Sequence, residues 1–396
     1  MSVRILTLTS LFPNFAQPNL GIFVYQRIAA LAAIPGNSVE VVAPLVWSPA
    51  VAGSKKGRRL RAVPQIEQIG GILVHHPRYP LVPKVSMPMH GWLMFRGALA
   101  LARRLHRDSP FDVIDAHYVY PDGKAALLLG KELGLPVIVS ARGSDINLFP
   151  SFRLIRPQIR RTLREAAGRI AVSAALKQAM LGVAGADCDI RVIGNGVDVG
   201  RFFPVDRREA RSRLQIPVDA RVIVSVAALV PAKGHGRLLQ AFRRLAEKVP
   251  GLHLYLVGEG ASRGELEALT ASLGLQNAVH FAGSCPNESL SDWYSAADVS
   301  CLASSREGWP NVVLESLACG TPVVATKVWG TPEILTSPVF GLLVEQDEGS
   351  IAAGLEAALT RDWDQDALVR QARTREWSVV GREVDAYLRE VVPAKG

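Results

Sequence analysis

Near its C-terminal end the chain reads Ser305-Arg306-Glu307-Gly308-Trp309-Pro310-Asn311-Val312-Val313-Leu314-Glu315, with seven residues between the two glutamates. The apolar run Val312, Val313, Leu314, Leu317, Ala318 stops at Gly320-Thr321-Pro322. That pattern predicts a short helix with Pro310 or Asn311 at its start and glycine past its end. Glu307 then precedes the helix, and Glu315 lies about one turn inside it. Backbone N–H groups at a helix mouth are unpaired and carry partial positive charge, which favours an anionic diphosphate or an electron-rich sugar oxygen. Carboxylates beside such groups can bind sugar and ribose hydroxyls, so the stretch has the parts of a nucleotide-sugar site. For two glutamates alone, a surface residue and a solvated helix residue would be the stronger reading. The rest of the chain reverses that.

Such residues need elements that bring them together. Runs rich in β-formers fall at 3–7, 39–42, 72–75, 112–115, 137–140, 169–172 and 191–193, with helical stretches between them. The series restarts at 222–226, 252–257, 279–281, 299–302, 323–325 and 342–344. Strand–helix–strand repeats imply parallel sheets covered on both faces, and the restart implies two of them. The expected fold class is therefore α/β, with two Rossmann-like parallel-sheet domains. The turn-rich segment Asn195-Gly196-Val197-Asp198-Val199-Gly200-Arg201-Phe202-Phe203-Pro204 reads as the linker. It separates an N-terminal domain of residues 1–200 from a C-terminal domain of 201–376. The segment 377–396 has apolar residues at helical spacing and is expected to pack on either domain.

A chain of 396 residues is too long for one ordinary core, and 48% apolar residues leave ample material for two. Four cysteines without Cys-x-x-Cys spacing suggest neither a disulfide framework nor a zinc site, and fit a reducing, cytoplasmic compartment. The run 1–10 reads as a first strand rather than a signal segment, and no apolar stretch is long enough for a spanning helix. Charge is uneven: residues 1–200 carry 24 Lys+Arg against 12 Asp+Glu (+12), leaving 21 against 24 (−3) from the totals of 45 and 36. A basic half attracts nucleic acid, anionic lipid or a phosphorylated substrate. Nucleic acid is set aside, because the basic stretches 55–61 and 153–169 lack interleaved aromatics or a reader motif. A solvated helix face and a mobile loop account for part of the excess. The segment from His90 to Arg107 reads either as a basic amphipathic helix docking at the inner face of a membrane or as a helix packed on the first sheet.

Ligands of open parallel sheets lie beyond the carboxyl ends of the strands, and the polar residues cluster there. After the first strand, Gly21 opens a helix, where it serves either a close backbone approach to phosphate or a simple entry turn. His117 follows the strand at 112–115, and Arg142-Gly143-Ser144-Asp145 follows that at 137–140. In the second half, Lys233-Gly234 lies where a loop enters a helix, placed to neutralise a phosphate. Gly258-Glu259-Gly260-Ala261-Ser262-Arg263-Gly264 has one residue too many for a dinucleotide fingerprint, which excludes a nicotinamide cofactor.

Taken together these segments resemble the family 4 glycosyltransferases, retaining enzymes of the GT-B architecture whose two Rossmann-like domains face across a cleft. The resemblance spans nearly the whole chain. It rests on Gly21, Ala116-His117, Arg142-Gly143-Ser144-Asp145, Val172-Ser173, Asn195-Gly196-Val197-Asp198, Lys233-Gly234, Leu256-Val257-Gly258-Glu259-Gly260, Phe281-Ala282-Gly283 and the Glu307–Val324 stretch. It implies a transfer of a hexose from a nucleotide diphosphate sugar, UDP- or GDP-linked, to a hydroxyl of a glycan or lipid-linked glycan in cell-surface polysaccharide synthesis. No cofactor or metal is implied. Glu307 would hold donor-sugar hydroxyls, with backbone around Trp309, Pro310, Asn311 and Val312 lining the sugar, and Glu315 would bind the ribose. Lys233, Gly21 and Arg142 would meet the diphosphate, His117 would contact sugar or acceptor, and Asp145 would bind acceptor. Asp187-Cys188-Asp189 spells the Asp-x-Asp of metal-dependent GT-A enzymes but falls in a loop of the first domain, and is read as coincidence.

The sequence departs from the family at one charged position. An arginine ahead of the lysine usually meets the diphosphate, whereas this chain has Ala227-Ala228-Leu229. One charged hydrogen bond is worth about 1.5–3 kcal/mol, or roughly one to two powers of ten in rate. Either another cation such as Arg142 substitutes, or the enzyme is slow, or the chain is a silent nucleotide-sugar-binding scaffold. A nucleotide-sugar epimerase of similar architecture is a further alternative.

Overall fold

The structure is a computed structural model and describes residues 2–47, 55–82 and 85–392, with the side chains of Lys55 and Lys56 outside the description. The chain divides into two compact units, Met1–Asn195 with Trp377–Gly396, and Gly196–Glu376. The first unit therefore closes shortly before residue 200, within the turn-rich segment.

The strands of the first unit are β1 (Val3–Leu8), β2 (Asn37–Val42), β3 (Leu45–Trp47), β4 (Ile66–Ile69), β5 (Ile72–His75), β6 (Arg78–Pro80), β7 (Val113–His117), β8 (Val137–Ala141), β9 (Gly168–Ala171) and β10 (Arg191–Val192). Eight form one sheet in the order β10-β9-β8-β7-β1-β2-β5-β4, and β3 pairs with β6 apart from it. All neighbours in the large sheet are parallel except β4 and β5. Every residue of β7 and β8 is buried, as a parallel strand covered on both faces requires. The short strands β3, β4 and β6 have no counterpart in the sequence expectation. β4 alternates exposed and half-buried residues and β6 ends in proline, so neither gives the apolar run of an inner strand.

The strands of the second unit are β11 (Arg221–Val226), β12 (Leu252–Val257), β13 (Val279–Gly283), β14 (Val299–Leu302), β15 (Val323–Thr326) and β16 (Gly341–Val344). They pair in the order β13-β12-β11-β14-β15-β16, all parallel. In both sheets the winding reverses once. The chain builds outward from β1 to β2 and returns to add β7 on the other side; it builds from β11 to β12 and returns to add β14. Right-handed crossovers put the helices of the two directions on opposite faces, leaving a crevice at the carboxyl ends of the central strands.

The helix Trp377–Val391 belongs to the first unit. Trp377, Val380, Val384, Tyr387 and Leu388 share a core with Val3, Ile5, Leu31, Val113 and Ile138. A Cβ on Gly381 would stand 3.0 Å from the carbonyl of Ala30, so glycine permits this close approach to the helix Ile22–Ala32. Tyr387 Oη accepts the Arg169 N–H at 3.0 Å and caps the start of β9. Residues 393–396 of the expected C-terminal helix lie outside the described residues.

The basic stretch 55–61 is the helix Lys55–Arg61. The helix His90–Asp108 buries Gly91, Met94, Ala98 and Ala102, so its apolar face is packed inside the unit and is not free to lie on a membrane. No helix among the described residues is long and apolar enough to cross a membrane.

Truncating Trp377 to alanine removes a large buried side chain from the first unit's core, at a cost of about 3–5 kcal/mol. Hydrogen exchange by mass spectrometry is expected to show lost protection in β1, β7 and β8 with the second unit unchanged. Lost protection confined to the second unit would show that the helix packs elsewhere.

Candidate functional site

In the second unit the crevice lies beyond β11 and β14, and each strand delivers one charged group to it. The chain leaving β11 is held along its length: Ala227 N–H donates to Val257 O at 3.1 Å, Leu229 N–H to Glu259 O at 3.0 Å and Ser262 N–H to Leu229 O at 2.9 Å. It then makes the turn Pro231–Lys233 and enters the helix His235–Ala246 through Gly234 at φ 69. A Cβ on Gly234 would stand 2.0 Å from Ala303 O, so both space and backbone sign require glycine. The chain leaving β14 is tied to this turn, because Ser305 N–H and Oγ–H both donate to Ala232 O, at 2.8 and 3.1 Å. Thr326 Oγ at the end of β15 donates to Ser304 O at 2.6 Å.

This scaffold sets Lys233 Nζ 2.5 Å from Glu307 Oε1, which also accepts the Ser304 hydroxyl at 2.6 Å. The carboxylate is 9% exposed and the lysine 26%, so the pair is shielded yet reachable. The sequence assigned these two residues to different parts of a donor; the structure joins them in one ion pair. The helix Asn311–Ala318 begins directly beyond, at Pro310, with no side chain capping its first turn. Pro310 is buried, and Trp309 and Val312 pack against the core, which fixes the mouth of the helix. The indole N–H of Trp309 is enclosed without a hydrogen-bond partner.

Glu315 lies inside that helix, and its Oε2 accepts the Tyr294 hydroxyl at 3.1 Å. Burial pushes the Glu315 carboxyl up to about 7, against the Tyr294 hydrogen bond and the charge of Arg201. His235 is buried beside Lys233, and burial together with that charge pushes the imidazole down to about 4, so it is neutral at pH 7. Ala228 is exposed on the loop after β11. Arg237, which the sequence reading did not single out, brings a guanidinium to the same loop. Its Nη2 donates to Ala303 O at 3.1 Å and lies 2.8 Å from the point a Gly234 Cβ would occupy. Its position on the first turn of the helix after Lys233-Gly234 was the signal available in the sequence.

The first unit gathers its polar residues at the corresponding reversal, beyond β1 and β7. Gly21 adopts φ 62 at the start of the helix Ile22–Ala32, and a Cβ there would stand 2.3 Å from Leu11 O. What crowds this glycine is therefore the loop after β1. His117 ends β7 with no exposed surface. Its Nε2 lies 3.0 Å from Asp115 Oδ2, and its Nδ1 is hydrogen-bonded by Arg142 Nη2. An arginine can only donate, so Nδ1 accepts and the ring is the neutral tautomer protonated on Nε2. Burial pushes His117 down to about 4, with Asp115 opposing and Arg142 assisting. Burial alone would raise Asp115, but the hydrogen bond from His117 and the charges of Arg27 and Arg142 hold it at about 2.

Arg142 also donates from Nη1 to Asn195 Oδ1 at 2.9 Å, and its guanidinium lies 5.7 Å from the centre of the Phe23 ring. Asp145 accepts the backbone N–H groups of Arg142, Gly143 and Val119 at 3.1, 2.8 and 2.8 Å. Those bonds fold the loop after β8, and burial raises the carboxyl nonetheless. Arg27 was missed by the sequence reading. It is fully buried on the same helix face as Val24, Ile28 and Leu31, and none of its guanidinium nitrogens has a hydrogen-bond partner. A cation at an apolar position of the helical period was the available signal.

Asp187 is ion-paired with Arg164 at 3.0 Å. No group of three or more His, Cys, Asp or Glu among the described residues is arranged to hold a metal ion.

Residues 20–201 match the model of Glycosyltransferase Family 4, and residues 206–375 that of Glycosyl transferases group 1. The Bacillus subtilis (strain 168) protein TuaC, assigned as a teichuronic acid biosynthesis glycosyltransferase, is 30% identical over 91% of this chain and 89% of its own. A D-inositol 3-phosphate glycosyltransferase of Streptosporangium roseum is 30% identical over 83% and 81%. Among solved structures, sucrose-phosphate synthase from Thermosynechococcus elongatus superposes with a TM-score of 0.79 at 22% identity, covering 99% of each chain. Anabaena HepE, solved with UDP and glucose, gives a TM-score of 0.72 at 19% identity over 98% of this chain and all of that one. With two Rossmann-like parallel sheets, both family models matched along its length and relatives of this similarity, the chain belongs to the family 4 glycosyltransferases and has the GT-B fold.

Proposed function

We propose that this glycosyltransferase is a retaining enzyme that moves a hexose from UDP- or GDP-hexose to a hydroxyl of a glycan or lipid-linked glycan, without a divalent metal. The observation that carries the proposal is the Lys233–Glu307 pair at the reversal of the second sheet, 2.5 Å apart and set beside the mouth of the helix Asn311–Ala318. A uridine donor is supported by the UDP complex of Anabaena HepE, which has the same fold. A cell-surface glycan acceptor is supported by the assignment of the TuaC relative to teichuronic acid synthesis.

In this reading the bond between the anomeric carbon and the diphosphate breaks and its electron pair leaves with the diphosphate. Charge grows on the leaving oxygen, where the Lys233 ammonium and the N–H dipoles around Trp309, Pro310, Asn311 and Val312 stabilise it more than the ground state. Glu307, freed from Lys233 as the lysine turns to phosphate, accepts donor-sugar hydroxyls and favours positive charge at the anomeric carbon. The acceptor oxygen bonds to that carbon on the face the diphosphate leaves, and its proton passes to the departing phosphate oxygen. His117 takes no proton in this scheme, because both ring nitrogens are engaged by Asp115 and Arg142. For Gly21 and Arg142 we keep the roles that the family resemblance implies, with His117 holding Arg142 in place, whereas Asp145, fully buried with its carboxylate engaged by three backbone N–H groups, shapes the loop after β8 instead of binding acceptor. Arg237 supplies the positive charge that Ala228 lacks. The second reading, a silent nucleotide-sugar-binding scaffold, is favoured by Ala228 alone.

Glu307→Gln keeps the shape of the site and removes its negative charge. Turnover is expected to fall on the order of 100-fold with little change in nucleotide affinity, measured by product formation and calorimetry. Unchanged turnover would refute the donor-site assignment. Calorimetry with UDP, GDP and their hexose forms, with and without chelator, fixes the donor class, and product analysis separates the readings: sugar transfer to an acceptor supports the transferase, whereas chelator-insensitive binding without turnover supports the scaffold.

Arg237→Gln is expected to lower kcat/KM by about 10–100-fold, and adding Ala228→Arg to restore most of it. Loss without rescue would place Arg237 in a structural role.

Glu315 gives a pH signature. Its folded carboxyl is raised from the usual 4.5 to about 7, so its favourable protonated state is lost as pH rises through that range. Glu315→Gln is therefore expected to gain stability relative to the native chain between pH 5 and 8, by up to about 3 kcal/mol. A difference in Tm that does not vary with pH would show that the carboxyl titrates normally.

A further inference from the structure

The first unit holds a pocket of about 430 Å³ away from the crevice beyond β1 and β7. It lies between the stretch 97–104 of the helix His90–Asp108 and residues 75–78, which link β5 to β6. This is the edge of the sheet where β5 and β4 are the last two strands, with β2 between them and β1. Gly21, His117, Arg142 and Asp145 take no part in its walls. Both its size and its make-up are those of a small-molecule site: Ile66, Pro77 and Leu101 give it apolar surface, with a few polar groups among them.

Two arginines line the pocket, and no aspartate or glutamate does. Arg78 is fixed by backbone at the end of the helix Lys55–Arg61: its Nη1 donates to Leu60 O at 3.1 Å, and its Nη2 to Arg61 O at 3.2 Å and Val63 O at 2.9 Å. Arg104 is exposed on the helix. Its neighbours Arg103 and Arg107 pair with Glu132 and Asp108, whereas Arg104 has no ion pair among the described residues. The carboxylates of the adjoining strands are already engaged, Glu40 by Arg4 and His75, and Glu67 by His76 and the Phe15 N–H. His75 on the pocket wall is 3% exposed. Its Nε2 lies 3.3 Å from Glu40 Oε2, but its Nδ1 has no hydrogen-bond partner among the described residues. Buried polar atoms are normally paired, and a ligand hydroxyl in the pocket would supply that partner.

We propose that this pocket binds a small organic anion, a phosphate or carboxylate on a body of about hexose size, at a site separate from the crevice. The anionic group meets Arg104, and Arg78 adds positive charge from the wall across from the helix. A hydroxyl of the body bonds to His75 Nδ1, and its C–H face lies on Ile66, Pro77 and Leu101. A guanidinium fork matches phosphate and carboxylate alike, so experiment separates the two. The assignment does not depend on the transferase chemistry.

The test is calorimetry of the full chain, without nucleotide, using glucose 6-phosphate, glucuronate and glucose as probes. Saturable binding of one of the two anions is expected, about tenfold or more tighter than that of glucose, and the tighter anion names the oxyanion. Arg104→Gln is expected to weaken this binding about tenfold or more, with Tm and UDP affinity unchanged. Ala100→Phe, which fills the pocket and alters no charge, is expected to remove it. With the anion bound, hydrogen exchange is expected to slow in residues 65–78 and 97–104. Binding of neither anion, binding no tighter than that of glucose, or binding that survives Arg104→Gln or Ala100→Phe unchanged would overturn the proposal. So would protection confined to the segments around His117 and Arg142, which would assign the anion to the crevice. UDP binding and glycosyl transfer, measured alongside, report on the catalytic reading separately.

Discussion

The reversal of winding between β11 and β14 governs the second unit, because it is the one place where two neighbouring strands send their following helices to opposite faces and leave their carboxyl ends uncovered. Lys233 and Glu307 leave the sheet on either side of that gap and meet at 2.5 Å. The loops around them fit together through backbone rather than side chains. The Ala303 carbonyl fills the place of a Gly234 side chain, and the Ala232 carbonyl accepts two bonds from Ser305. In the proposed function, an ion pair held by fixed backbone would cost little further ordering when a diphosphate replaces one partner, and that preorganisation would make the lysine effective against charge that develops only in the transition state.

The first unit places the same reversal between β1 and β7 but uses it differently. Here Arg27, Asp115, His117 and Arg142 are buried together. Taking such charges out of water is costly unless they are paired, and the pairing sets their states. Asp115 stays ionised between two guanidinium groups, which leaves His117 a neutral ring with one donor and one acceptor, both used. The histidine therefore holds Arg142 in orientation, and Arg142 extends the network to Asn195.

Particular residues show how far the sequence could be read. The alternation of β-runs and helices located every strand of the two large sheets except the half-exposed edge strand β4, and missed β3 and the proline-ended β6, which pair apart from them. Gly21 was legible as a glycine that had to be glycine, although the crowding group is the Leu11 carbonyl. The helix His90–Asp108 was visibly amphipathic, but periodicity cannot tell a stripe that faces a sheet from one that faces lipid. Packing buried that stripe against the helix Lys124–Leu133 and β6 and left Trp92 outside.

The amino-acid sequence by itself determined the local elements: where strands stop, which turns need glycine, and that Glu307 precedes and Glu315 enters one short helix. These follow from backbone sterics and from periodicity within a few residues, which act before any distant contact forms. Only the tertiary structure decided which polar groups meet. Lys233 and Glu307 are 74 residues apart in the chain, Arg142 and His117 are 25 apart, and Tyr294 reaches Glu315 across 21. Protonation states likewise depend on burial and on neighbours brought in by the sheets, which is why the neutral His117 and the raised Glu315 carboxyl appear only once the chain is folded.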